Sequence, residues 1–263
     1  MADGPDERGA RASDLAAAAF LAVPAVLSFV LILHHPFLRG AHGAEDLARA
    51  VAAAAPMDRF VHGGLVAMFG VQVLGFQLFS ARLGWGRPAV AAGFIAYAAG
   101  ALLVVIPSVL DGFVIPDLAG ACLARPAGCG DVDEGVFRLV AVVIQDFSKA
   151  ALVALSAGTI GWAIALLTGQ GLPGRAVGAI GLVCAAAPIA ILLLSNVRLQ
   201  PGNLAGFIAS QVVWSLLAAA FMTGPRRPLP PVGPQIAAAA MASRTRSRAA
   251  STGAVSPSMS KVP

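Results

Sequence analysis

The chain has 263 residues, 58 % of them apolar and only 12 % charged, with a formal net charge of +5. Soluble domains average roughly 45–50 % apolar and 25 % charged residues, so an ordinary water-soluble globule is excluded. One tyrosine, three tryptophans and no basic folded segment give nucleic-acid binding no support.

Six apolar runs follow one another, at about 15–34, 60–80, 88–110, 139–167, 176–195 and 204–222. Each supplies the roughly twenty residues that cross about 30 Å of hydrocarbon at 1.5 Å per residue. Backbone polar groups in lipid must be satisfied within the segment, so runs of this length predict helices. The expected fold is all-α: a polytopic integral membrane protein with six transmembrane helices in a bundle, spanning 15–222. Residues 1–14 are expected to be a cytoplasmic N-terminal segment. Residues 223–263, rich in proline, alanine and arginine, are expected to be a disordered cytoplasmic tail.

The first run is longer than an ordinary 7–15-residue signal core, and His34-His35-Pro36 after it is unlike a small-residue cleavage site. A retained helix is therefore expected. Loop one, about 35–59, carries a short helix over Ala44–Ala55, with Glu45 and Asp46 in its first turn, where acids suit the helix dipole. Loop three, about 111–138, contains Pro116, Pro126 and several glycines. It closes on Asp131, Asp133 and Glu134, which charge-match the N-terminus of span four. Pro24, Pro107 and Pro188 bend spans one, three and five. Gly158 and Gly161 in span four, with Gly174, Gly178 and Gly181 in span five, allow close helix approach.

With both termini cytoplasmic, eleven basic residues lie inside and six outside, Lys149 being the remaining one of 18. That is the direction of the positive-inside bias. Arginine outnumbers lysine sixteen to two, a usage associated with GC-rich bacterial genomes. A bacterial cytoplasmic membrane is thus the expected location, with loops one, three and five facing outward. Cys122 and Cys129, both in loop three, then face an oxidising compartment where a disulfide persists; two free thiols are the alternative. The lipid bilayer is the expected partner, and a second copy or another membrane protein would be a further one.

All four histidines, His34, His35, His42 and His62, fall between the last residue of the first run and the opening turn of the second. Every span also places a polar group toward the outer face, including Asp111, Asp146, Lys149 and Arg198, whereas the cytoplasmic half reads as nearly bare. Charge at membrane depth costs several kcal/mol by insertion scales. Such a layer is therefore where function is sought. Asp146 and Lys149, at i,i+3, could form an ion pair. Asp58 and His62, at i,i+4, share a helix face, where the carboxylate can hydrogen-bond the imidazole or join it on a metal.

The candidate metal ligands are His34, His35, His62 and Asp58, with His42 as an additional one. Imidazole plus carboxylate suits Zn, Cu or Fe. Adjacent His34 and His35 diverge by about 100° on a helix, unless Pro36 ends it there. The plainer alternative is a set of interfacial histidines making ordinary hydrogen bonds. Bis-histidine haem ligation lacks histidines in spans three to six, and no H-x3-H pair, G-x-S-x-G elbow, phosphate loop or dinucleotide fingerprint occurs. What remains is an outward His/Asp layer for a metal ion or small polar ligand. The alternatives are a membrane enzyme acting on a lipid or quinone at the outer leaflet, with Asp58–His62 as its base pair, or a small-solute transporter.

Overall fold

The computed structural model describes residues 5–36, 43–195 and 197–225, and every regular element among them is helical. The helices are α1 (Pro5–Leu33), α2 (Ala44–Leu83), α3 (Pro88–Val109), α4 (Ile115–Leu123), α5 (Asp131–Gly169), α6 (Leu172–Leu194) and α7 (Pro201–Thr223), with a π-helical turn, Leu110–Val114, joining α3 to α4. Among the described residues, six spans are long and apolar enough to cross a membrane, which makes this a multi-pass membrane protein. Large apolar side chains such as Leu102, Val183 and Leu194 are exposed; in a bilayer their solvent is hydrocarbon.

Two helices exceed the membrane. At 1.5 Å per residue, the 40 residues of α2 and the 39 of α5 run to about 60 Å, twice the hydrocarbon thickness. The short helix expected at Ala44–Ala55 does start after Gly43, but it continues through Pro56 into the second span without a break. Most of the expected third loop is helical too: only residues 124–130 separate α4 from α5. Pro116 lies just past the π turn, and the chain stays helical through it from Pro88 to Leu123.

The projecting parts make a cap. Ala48 and Val51 of α2, Ala119 and Cys122 of α4, and Phe137 of α5 bury one another. Cys122 and Cys129 are joined by a disulfide with a Cα separation of 5.2 Å. Arg59–Asp117 at 2.6 Å and Arg125–Asp133 at 2.5 Å add surface ion pairs.

Within the bundle, α1 packs on α2 and α7, while α5 packs on α3 and α6. The α3–α5 contact is close because a Cβ on Gly158 would fall 2.8 Å from Gly93 O, and one on Gly161 2.6 Å from Ala89 O. Its centre is aromatic: Phe76 stacks on Trp162 with ring centroids 4.4 Å apart, and Trp162 Nε1 donates to Ser80 Oγ at 2.9 Å.

The end opposite the cap carries a charged pair of its own. Arg82 pairs with Asp14 at 2.7 Å and also donates to the carbonyls of Met222 and Gly224, at the C-terminus of α7. Both side chains are about nine-tenths buried, 8 % and 10 % exposed. Arg82 and Asp14 are 68 residues apart, and only packing α1 against α2 turns two isolated charges into a shielded pair. The tail beyond Pro225 and residue His42 lie outside the described residues.

Candidate metal centre

Three elements converge beneath the cap. His35 follows the end of α1, where the helix stops at Leu33 and Pro36 holds the chain out of helical geometry. His62 and Asp58 lie on α2, and Asp111 lies in the π turn. That turn has a local cause. Pro107 breaks the hydrogen-bond ladder one turn earlier, and Pro116 has no N–H to offer Gly112 O, so Ile115 N–H reaches back five residues to Leu110 O. Such an extra residue re-aims side chains, and π turns recur at functional sites. Gly112, next in the turn, brings its backbone so close that a Cβ would sit 2.5 Å from His62 Cβ.

Both imidazoles have their Nδ1 committed. His62 Nδ1 lies 2.9 Å from Asp58 O and His35 Nδ1 lies 2.9 Å from Pro36 O. A carbonyl only accepts, so each Nδ1 carries the hydrogen and donates it. In the neutral ring each Nε2 is then a lone pair. Both Nε2 atoms face the same atom, Asp111 Oδ2, each at 3.3 Å. Three electron-rich atoms thus converge, an arrangement that needs positive charge among them.

Two protons or one metal cation could supply it. Charge-assisted N–H···O bonds run about 2.7–2.9 Å, and these contacts are longer. Ligand atoms bound at about 2.0–2.1 Å around a tetrahedral ion are separated by about 3.3–3.4 Å, which matches both. The rings stand edge to face, centroids 5.0 Å apart at 83°, leaving both Nε2 atoms free to meet one centre. Burial opposes charge on His35, yet its hydrogen bond to Asp111 and the fields of Asp111 and Asp58 outweigh that and raise its pKa. The local field therefore favours a cation.

Asp58 adds a second carboxylate beside these three atoms. Its side chain is 6 % exposed, and Oδ1 has no hydrogen-bond partner. Ligand atoms of His35, Asp58 and His62 all lie within 4.8 Å of one another. A buried carboxylate oxygen without a donor is costly, unless a cation lies beside it.

The other candidates stand elsewhere. His34 is exposed, and its Nδ1 donates to Val30 O at 2.8 Å on its own helix, so it does not join the cluster. Asp58 meets His62 through its backbone carbonyl rather than its carboxylate. Asp146, which is exposed, and Lys149, which is half-buried, form no ion pair with each other. Arg198 is exposed, and only its carbonyl is engaged, by Asn203 Nδ2 at 2.7 Å. The sequence placed Asp111 in the polar layer without marking it as the atom both histidines face, and it gave Gly112 no role. The Pro107-to-Pro116 interval enclosing an Asp-Gly pair was the available signal.

Comparison with protein-family models, curated proteins and solved structures finds no match. The chemistry of the cluster alone therefore carries the functional reading.

Proposed function

We propose that this is a metal-binding membrane protein whose centre is built from His35 Nε2, His62 Nε2 and Asp111 Oδ2, with Asp58 as an adjoining carboxylate. The observation that carries it is the meeting of two imidazole lone pairs on one carboxylate oxygen at 3.3 Å each, with both Nδ1 atoms already spent on carbonyls. Two imidazoles and a carboxylate suit Zn or non-haem Fe, and leave coordination positions for a further ligand. Basic residues biased toward the opposite side, and the disulfide in the cap, support an outward-facing site in a bacterial cytoplasmic membrane with both termini inside. The bilayer is its partner.

The test is metal analysis of protein purified in lipid nanodiscs, beside the His35→Ala/His62→Ala/Asp111→Asn variant. About one equivalent of a transition metal in the parent, and less than a tenth of that in the folded variant, supports the proposal. Equal content in both refutes it.

A further inference from the structure

The cluster is one pole of a cavity of about 240 Å³. The cavity runs from His35, His62 and Asp111 down between α1, α2, α3, α5 and α7, with Leu65, Phe69, Leu152 and Ile208 among its walls. Gln72 at its lower end lies ten residues below His62 on the same helix, which sets the depth at about 15 Å. Its exposed wall is mainly apolar but is interrupted by Ser28, Gln72, Ser108, Gln145, Ser148 and Gln211. Gln145 is spent on the backbone of Leu199. Gln72 is already bonded to Ser215 at 2.8 Å, while Ser28, 3 % exposed, turns an Oγ with no partner into the same surroundings.

Size, shape and charge restrict the occupant. An apolar cavity of about 150 Å³ takes a benzene ring, so this one takes about ten non-hydrogen atoms. Its mainly apolar wall favours an apolar body over water. At the upper pole, Asp111 and Asp58 already balance a divalent cation, and the two imidazoles add no charge. An anionic head group would bring an uncompensated charge into a buried site, which is strongly disfavoured.

We infer that the cavity binds a neutral, membrane-soluble molecule with an aliphatic body of about ten non-hydrogen atoms, whose one hydroxyl or carbonyl oxygen meets the cation. This rests on the metal-centre reading and adds the ligand class to it. A cation held by His35, His62 and Asp111 would leave a coordination position for that oxygen, and the walls of α2, α5 and α7 would hold the chain.

The probe is Co²⁺-loaded protein in lipid nanodiscs, titrated with 1-nonanol, nonane and nonanoate, and followed by cobalt absorption. The expected result is a saturable change of the cobalt bands with 1-nonanol, and at least tenfold weaker responses to nonane and nonanoate. Val104→Phe and Ile208→Trp, each adding bulk at a half-buried wall position, are expected to weaken 1-nonanol at least tenfold while Co²⁺ stays at one equivalent; either folded variant suffices. Bound Co²⁺ whose bands ignore 1-nonanol, or answer nonanoate equally, overturns this inference and leaves the metal centre standing. Failure of Co²⁺ to bind at all overturns the metal centre and this inference with it.

Discussion

Gly112→Ala tests the centre without touching a ligand. A Cβ at residue 112 would lie 2.5 Å from His62 Cβ and 2.8 Å from its Cγ, against roughly 3.5–4.0 Å for relaxed carbon contacts. His62 or the π turn must therefore yield by about 1 Å, several times the 0.2 Å tolerance on metal–ligand distances. Overpacking of this kind costs about 1–3 kcal/mol of stability, and disturbing a ligand's support lowers metal affinity about 10–100-fold. The neighbouring Gly63→Ala is the control, since its Cβ would meet Phe113 Cζ at an ordinary 3.7 Å. Competition titration with a chromophoric chelator gives affinity, and thermal unfolding of the apo protein gives stability. The expected outcome is a loss confined to Gly112→Ala in both measurements. A folded Gly112→Ala protein with parental Co²⁺ affinity would refute the idea that the π turn sets the position of His62.

Asp111→Asn removes the anion that both imidazoles face, and Co²⁺ affinity should fall at least 100-fold by the same titration. Asp58→Asn removes a buried carboxylate with an unpartnered oxygen; apo stability should rise by about 1 kcal/mol while Co²⁺ affinity falls, opposite signs that thermal unfolding with and without metal would separate. Arg82→Leu removes one buried partner of Asp14 and donors from the end of α7, so stability should fall by about 1.5–3 kcal/mol, with Co²⁺ affinity in the folded fraction unchanged. Reducing the Cys122–Cys129 link, whose sequence separation is 7, should cost the cap about 2–3 kcal/mol, read as faster amide exchange over 115–138 and unchanged exchange in α6.

The spans were legible because hydrocarbon imposes length and apolarity on the sequence itself, and no soluble alternative satisfies both. Helix beyond the membrane was less so. Outside hydrocarbon, the polarity change at 56–60 no longer marks a helix end, and α2 passes through it. The prolines and glycines of 116–130 look like loop, yet a π turn carries the helix past Pro116 to Leu123. The His/Asp layer was visible as composition, but its partners were not. His34 and His35 are equivalent as letters; the turn before Pro36 directs one inward and leaves the other on its own helix carbonyl. Asp111 reaches the histidines only through a π turn, a feature that depends on two prolines nine residues apart and has no periodicity of its own. Asp14 and Arg82 show the same limit at the other end, since their pairing belongs to tertiary packing.

X-ray absorption on the Co²⁺- or Zn²⁺-loaded protein meets the central claim most directly. A first shell of nitrogen and oxygen at about 2.0–2.1 Å, with outer-shell scattering from two imidazoles that vanishes in His35→Ala/His62→Ala and persists in His34→Ala, is the predicted result. A spectrum without imidazole scattering, or one that the loss of His35 and His62 leaves intact, would contradict it.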